Sequence, residues 1–210
     1  PTNPPKPTDP IDPENPIGPK WDDEKIKQLT DESVKDFKRT ISYVYEDGTE
    51  ASPSFTDTAR FTRKLKVNVV TKEIVERGDW ISTDDVVKGQ TSPVIKGYLA
   101  DKASVPDETL TAESANPVDV VVTYKKLGSW VPKVPDGFTP PPSIVYPNDP
   151  TDPTKPQKPT DPDYPVIPNV PGTTPVGPDG VTPLTPVDPN DPSKGYIPPS
   201  LPSEPGKDTP

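Results

Sequence analysis

The chain has no cysteine and no histidine among its 210 residues. Without cysteine, the protein cannot form a disulfide framework or a thiolate metal site. Without histidine, it lacks the commonest general base, the usual partner of a nucleophilic side chain and a main transition-metal ligand. We therefore predict that the protein is not an enzyme and that it holds no metal or other cofactor.

Carboxylate pairs are the remaining route to catalysis, because two carboxylates can hydrolyse a glycosidic bond. The candidate pairs are Asp84-Asp85 and Glu46-Asp47. Adjacent residues on a strand point to opposite faces of the sheet, and both pairs lie in turn-like sequence. We therefore assign neither pair as a catalytic site.

Basic residues are in the minority, and long apolar runs are missing. Lysine and arginine number 23 against 33 aspartates and glutamates, which gives a net charge of −10. Phosphate binding needs a concentrated basic footprint, so the sequence predicts no nucleic-acid partner. No apolar run is long enough to span a bilayer, so we also predict no membrane insertion. Because the chain starts and ends with proline, we expect it to be a piece of a longer protein that carries its targeting and anchoring signals elsewhere.

Proline is the residue in excess, with 37 copies concentrated at the two ends of the chain. From 1 to 19, and again from 147 to 171, every third residue is proline. This spacing matches the three residues per turn of polyproline II. We predict proline-rich spacers over residues 1–20 and 128–210, the second acidic, with residues 147–171 spanning roughly 75 to 80 Å.

Between the spacers, residues 38–127 have the composition of a compact domain. They hold 34 hydrophobic residues in 90, against 25 in the other 120. We predict one β domain over residues 38–127, preceded by a lead-in segment, 21–37, that holds a short helix capped by Asp22 or Thr30. The sequence Pro-Thr-Asp-Pro recurs in both spacers, so we expect the chain to be a monomeric unit of a tandem array.

Strand patterns fill the predicted domain. Residues 39–49 alternate, with Ile41, Tyr43 and Tyr45 on one face and a turn at Asp47-Gly48. Residues 118–124 and 59–70 are two further runs with the same period of two, the first placing Val118, Val120, Val122 and Tyr124 on one face. We predict a mainly β fold: a β-sandwich-like or alternatively β-grasp-like domain, flanked by extended polyproline-type arms.

Several of these stretches resemble the second, mainly β module of the Mub-type mucus-binding repeats of lactobacillus cell-surface adhesins. The resembling sequences are RTISYVYEDGT at 39–49, FTR at 61–63, VT at 70–71, Trp80, SPVIKGYLADKASV at 92–105 and VVTYKKL at 121–127. The chain has Lys72 where that family's pattern has the glycine of VTG. The resemblance implies an extracellular, wall-attached protein of a Gram-positive bacterium that binds host mucin glycoproteins or their glycans, with other secreted glycoproteins as alternative partners.

A binding surface for such glycans can be predicted from the residue types. Guanidinium and ammonium groups can pair with the sialate and sulfate of mucin glycans, and aromatic rings can stack on sugars. The predicted ligand-binding residues are Arg60, Lys64 and Lys66, on the outer face of the 59–70 run, and Trp80 and Tyr98, beside turns. The other tyrosines of the strand runs, Tyr43, Tyr45 and Tyr124, are predicted to face the core. A solvated strand face is the competing interpretation of the basic cluster.

Two interpretations without a ligand stay open. In the first, the chain is a structural stalk that extends a surface adhesin while other repeats bind. In the second, it is a β module crosslinked by an isopeptide bond, which would show as a mass deficit of one ammonia.

Overall fold

The computed structural model describes residues 6, 8–11, 14–15, 17 and 20–210 of the protein. The predicted polyproline spacer over residues 1–20 therefore lies for the most part outside the described residues. The chain forms two compact units, each assembled from separate stretches. Unit 1 comprises Pro1–Thr40, Phe55–Gly89 and Pro106–Asp119, and unit 2 comprises Ile41–Ser54, Gln90–Val105 and Val120–Pro210.

One helix opens the described fold and the other regular elements are strands and one 3₁₀ turn, so the predicted mainly β class is confirmed. In chain order the elements are α1 Asp23–Ser33, β1 Val34–Tyr45, β2 Glu50–Thr62, β3 Leu65–Val67, β4 Ile74–Arg77, β5 Ile81–Asp84, β6 Val86–Val87, β7 Gln90–Thr91, β8 Tyr98–Ala100, β9 Ser104–Val105, β10 Glu108–Thr109, β11 Val120–Lys126, β12 Ser129–Trp130, β13 Ile144–Val145 and a 3₁₀ turn, Pro192–Lys194.

A curled sheet with the strand order β5-β2-β1-β11-β8 is the main element of the fold. The other described strands form two-stranded pairs: β3 with β4, β6 with β10, β7 with β9 and β12 with β13. Strands β1 and β2 are long enough to pass through both units. The single domain predicted over 38–127 is therefore divided between the two units.

Helix α1 confirms the helix predicted in the lead-in segment, with Asp22 as its N-cap. The Asp22 carboxylate accepts the backbone N–H of Lys25 at 2.7 Å, and Asp23 and Glu24 follow in the first turn, where the helix dipole favours negative charge. Leu29 is the buried residue of the helix. The backbone becomes extended at Val34, a β-branched residue that begins β1 directly.

Unit 1 is organised around a small apolar cluster and one buried cation. The cluster contains Phe37, Ala59, Phe61, Val87, Leu110 and Ala112. Arg39 of β1 is only 4% exposed. Its guanidinium donates to the carbonyl oxygens of Val87, Lys88 and Pro106 at 3.2, 3.0 and 2.8 Å, and it pairs with Glu108 at 3.3 Å. Because these bonds join the chain after β6 to the chain before β10, Arg39 holds two connections of unit 1 together.

Unit 2 contains the parallel pairing of β1 with β11. Ile41 to Tyr45 lie opposite Val120 to Tyr124, residue for residue, and β8 pairs antiparallel on the other side of β11. Ile41, Tyr43, Val122 and Tyr124 are buried, so the alternation predicted for both strands is confirmed at these four positions. The Tyr124 hydroxyl donates to the Pro93 carbonyl at 2.6 Å, and burial raises the pKa of this phenol to about 12.

Two strand predictions are wrong. Val118 lies outside β11 and is 79% exposed, because the Asp119 carboxylate accepts the Thr40 N–H at 2.7 Å in place of a backbone carbonyl. The run predicted over 59–70 is not one strand, since β2 ends at Thr62 and β3 begins at Leu65. The break falls at Arg63, whose N–H donates to the Ser33 carbonyl at 2.9 Å.

The segment after β11 is not the extended arm that the proline spacing predicts. Leu127, Trp130, Tyr146, Ile167 and Tyr196 form a buried cluster, which places residues 128–210 in unit 2. Within 147–171 the chain doubles back. The Gln157 N–H donates to the Pro147 carbonyl at 2.8 Å, and the Asp149 N–H donates to the Lys155 carbonyl at 3.0 Å. The aromatic and aliphatic residues between the prolines bury apolar surface in this cluster, which favours the folded arrangement.

Aspartates make the turns of this segment. Asp152 accepts the hydroxyl and the N–H of Thr154 at 2.6 and 3.0 Å, and Asp179 likewise accepts the hydroxyl of Thr182 together with the N–H groups of Thr182 and Val181. These bonds favour the charged carboxylate and lower the pKa of each aspartate to about 2. Asp-Pro-Thr and its variants therefore encode Asx turns rather than extension. Across the described residues, no helix has both the length and the apolar character needed to cross a bilayer.

The β3–β4 hairpin places Lys72 in the left-handed region, at the position where the resembling family has glycine. Its φ angle is +62°, and its N–H donates to the Asn68 carbonyl at 2.8 Å. The Asn68 side chain accepts the N–H groups of Val70 and Thr71 at 2.8 and 3.0 Å, which fixes the turn. A side chain at this φ costs backbone energy that glycine does not.

We predict that Lys72→Gly raises the free energy of unfolding by about 1 kcal/mol, because it removes left-handed strain. Urea denaturation measures the change. Lys72→Ala is the matched control: it also loses the contacts of the Lys72 ammonium with Lys20 O at 3.3 Å and Asp22 at 3.8 Å, but it keeps the strain. Equal stability of the glycine and alanine variants would contradict the prediction.

Candidate functional site

The predicted basic face is largely neutralised by acidic neighbours. Arg60 forms a two-point ion pair with Asp36 across β1 and β2, with Nε–Oδ1 and Nη2–Oδ2 distances of 2.6 and 2.7 Å. The Arg60 guanidinium holds the pKa of Asp36 below its usual range. Lys66 lies 3.3 Å from Glu76. Lys64 is exposed and has no side-chain partner among the described residues. Because β2 and β3 are separate strands, the three cations do not lie on one strand face.

Tyr98, unlike the other predicted site residues, belongs to unit 2. Its ring contacts the Tyr45 ring at a centroid distance of 4.6 Å, and its carbonyl accepts the Asn148 side-chain amide at 2.6 Å. Tyr98 is half-buried in these contacts. Arg60, Lys64, Lys66 and Trp80 all lie in unit 1.

Trp80 is the predicted site residue with the most distinctive surroundings. It lies between β4 and β5, is half-buried and packs against the apolar cluster of unit 1. Two cations lie over its ring: the Arg63 guanidinium carbon is 4.4 Å and the Lys35 ammonium 4.9 Å from the ring centroid. Such contacts hold a cation and an indole ring in a fixed relation.

A cleft opens beside Trp80, and we call it the Trp80 cleft. Its volume is about 540 Å³, within the range of small-molecule sites. Its walls are Phe61, Arg63, Gly78, Asp79, Trp80, Asp85 and the loop 110–113. The cleft therefore combines two aromatic rings, one guanidinium and the three carboxylates of Asp79, Asp85 and Glu113.

Glu32, at the end of α1, positions the arginine that covers Trp80. Its carboxylate accepts Arg63 Nη2 at 2.7 Å, and its backbone carbonyl accepts Arg63 Nε at 2.6 Å. Arg77 Nε and Nη2 bind the same carboxylate at 2.9 and 3.2 Å. The Arg77 guanidinium, assisted by Arg63, lowers the pKa of Glu32. Lys35 is anchored in turn by the Ala112 carbonyl at 2.6 Å.

No role in a binding site was predicted from the sequence for three residues of this arrangement: Glu32, Lys35 and Arg63. One signal was available for Arg63, because it shares the parity of Phe61 and Leu65 on an otherwise apolar face. A cation in that position needs a partner such as an aromatic ring. Glu32 and Lys35 gave no signal, since their roles depend on how α1 and β1 lie against the strands of unit 1.

A larger cleft, of about 660 Å³, lies within residues 130–210 of unit 2. Its walls are mainly proline, valine and glycine, with Trp130 and Phe138, and Lys133 is the charged side chain among them. Specific recognition needs polar groups that converge on the ligand. The Trp80 cleft has such groups, so it is the better candidate site despite its smaller volume.

Comparison with known proteins assigns a family to the part of the chain that contains the Trp80 cleft. Residues 28–128 match the Muc B2-like domain family. The MucBP domain of an adhesion protein from Pediococcus pentosaceus is 33% identical, over 98% of that chain and 44% of this one, with a TM-score of 0.37. This chain belongs to the Muc B2-like family. Its Muc B2-like domain includes Glu32, Lys35, Arg63 and Trp80.

Two other solved structures are similar over a comparable share of the chain. Mub-RV is 26% identical over 44% of this chain and 53% of its own length, with a TM-score of 0.39. The type 2 repeat of the mucus binding protein MUB from Lactobacillus reuteri is 27% identical over 45% and 50%, with a TM-score of 0.36. The chain thus spans about half the length of these two structures. No curated protein matches it.

We predict that Glu32→Gln lowers the stability of the Muc B2-like domain at pH 7 and has a smaller effect in acid. The folded-state pKa of Glu32 is depressed, so its contribution is present above the ordinary pKa of 4.5 and is lost as the pH falls through the folded value. Urea denaturation at pH 7 and at about pH 3 measures both differences.

Asp31→Asn is the control for this experiment, because it removes a surface ion pair with Lys27 on the same helix. Exposed pairs of this kind contribute little to stability. An equal loss of stability in the two variants, or an effect of Glu32→Gln that does not change with pH, would contradict the assigned role of Glu32.

Proposed function

We propose that this chain is a non-catalytic repeat of a bacterial surface adhesin and that it binds mucin-type glycoproteins through the Trp80 cleft. The observation that carries the proposal is an indole ring held by two cations at a cleft whose walls also bear three carboxylates. Membership of the Muc B2-like family supports the class of ligand. The extracellular, wall-attached location on a Gram-positive cell is part of the same proposal.

The cleft suits the neutral hydroxyl-bearing parts of a glycan. An aromatic ring can stack on the apolar face of a sugar, and the carboxylates of Asp79, Asp85 and Glu113 can accept hydrogen bonds from its hydroxyl groups. The same carboxylates repel sialate and sulfate. Arg63 is occupied by Glu32, which leaves Lys35 as the more exposed of the two cations at the ring.

This proposal changes the role of the predicted basic cluster. Arg60 and Lys66 already have carboxylate partners in Asp36 and Glu76. An anionic glycan would have to compete with these partners, and the interaction would be screened by salt. Direct capture of sialate or sulfate by Arg60, Lys64 and Lys66 is therefore the weaker mechanism.

We predict that Trp80→Ala weakens binding of the full chain to immobilised purified mucin roughly tenfold, about 1.4 kcal/mol, because the stacking surface is lost. Surface plasmon resonance measures the affinity, and Trp80→Tyr should retain part of it. The matched comparison is the triple variant with alanine at 60, 64 and 66, which should bind mucin almost as the unmodified chain does. Removing sialic acid from the mucin should also leave binding largely intact.

The opposite pattern, with loss of binding and of salt sensitivity in the triple variant and none in Trp80→Ala, would transfer the site to the basic cluster.

A structural stalk is the second candidate function. It is favoured by the folded segment 129–210, which lies outside the family match and adds chain without adding a convergent polar site. Absence of mucin binding by the full, folded chain would favour the stalk.

A further inference from the structure

We propose that unit 2 bears tension applied along the chain, with the β1–β11 pair acting as a shear clamp. This function goes beyond ligand binding and does not depend on what the Trp80 cleft binds. Five consecutive residue pairs, from Ile41 opposite Val120 to Tyr45 opposite Tyr124, form the parallel ladder. The backbone bonds of a parallel ladder are evenly spaced along the strands, so they can share a load.

The order of the strands in the chain decides how a load reaches this ladder. Among the five strands of the main sheet, β1 comes first in the sequence and β11 comes last. A pull toward the N terminus acts on the beginning of β1, and a pull toward the C terminus acts on the end of β11. Because the strands are parallel neighbours, these pulls drive them past each other in opposite directions. All five pairs must then yield together rather than one after another.

Side chains on the buried face resist this sliding. Ile41, Val122 and Tyr124 have no exposed surface, and Tyr43 is 4% exposed. A shift by one residue would turn these side chains to the opposite face of the sheet. The bond from the Tyr124 hydroxyl to the Pro93 carbonyl would also break. On its other side β11 is held by β8, through the pairs from Tyr124–Ala100 to Lys126–Tyr98.

The last residues of the chain form a second parallel contact, which we call the C-terminal clasp. Gly128 N–H donates to the Pro205 carbonyl, Thr209 N–H to Ser129 and Val131 N–H to Thr209, each at 2.8 Å. Tyr146 supports the clasp, because its hydroxyl donates to the Lys207 carbonyl at 2.9 Å and lies 2.7 Å from the Thr209 hydroxyl. The two segments approach so closely at Gly128 that a Cβ atom there would clash with the backbone carbonyl of Lys207.

The clasp continues the load path of the clamp. Tension leaving β11 enters the clasp at Gly128, and tension from the C terminus enters it at Thr209. The bridge between Trp130 and Thr209 is parallel, so the clasp is also loaded in shear. The chain between the two clasp strands, residues 132–204, then carries no tension until the clasp opens.

Pulling the full chain by its two ends tests this path in a single-molecule force experiment. We expect two abrupt steps, each releasing about 80 residues, or roughly 260 to 300 Å of extended chain. In the double variant Ser42→Cys and Val121→Cys, the two positions are register partners, and such spacing suits a disulfide. The chain has no other cysteine that could compete. Oxidation should abolish one of the two steps, and reduction should restore it.

A change of pulling geometry provides the matched control. With one handle moved to the exposed position 46, through Glu46→Cys, β1 and β11 are pulled from the same end of the ladder. The pairs then open singly, and the clamp step should occur at a force between about twofold and fivefold lower, since five pairs no longer share the load. Equal forces for the clamp step in the two geometries would overturn the proposal, and so would the persistence of both steps in the oxidised variant.

Discussion

The parallel ladder between β1 and β11 is the interaction on which unit 2 depends. Its register, from Ile41–Val120 to Tyr45–Tyr124, determines which side chains of both strands are buried. It also joins a strand near the start of the chain to one nearly eighty residues later. The ladder therefore closes a large loop, and it places the two directions of pull along neighbouring strands. The buried phenol of Tyr124, on β11, adds a side-chain bond to the Pro93 carbonyl.

Charge is used differently in unit 1. Arg39 is buried and binds three carbonyl oxygens, while Glu32 binds Arg63 and Arg77 together. Arginine suits both roles because its planar group offers several donors in fixed directions. Most arginines of this unit thus support the structure. The half-buried ring of Trp80 and the carboxylates near it remain as the groups that can meet a neutral sugar.

The proline-rich C-terminal segment shows that proline spacing alone does not determine extension. Each Asp-Pro-Thr sequence offers two local conformations, a polyproline turn or an Asx turn. The Asx turn is the one observed at Asp149 and Asp152, where threonine supplies an N–H and a hydroxyl to the carboxylate. Burial of Trp130, Tyr146, Ile167 and Tyr196 favours it, because a turned chain can bring these distant side chains together.

The sequence by itself determined the mainly β class, a short helix within residues 21–37, the inward faces of β1 and β11, the turn at Asp47-Gly48 and the family. Period-two patterns, helix signals and turn residues act over a few neighbours, so they can be recognised locally. The choice of Asp22 over Thr30 as the N-cap came from the structure. Only the tertiary structure decided that the 59–70 run breaks at Arg63 and that residues 128–210 fold. It also decided that Arg60 and Lys66 have acidic partners. The same holds for the two cations, Lys35 and Arg63, that cover Trp80. Each of these outcomes depends on a partner distant in the chain, such as Ser33 for Arg63 or Pro205 for Gly128. Local patterns contain no information about such partners.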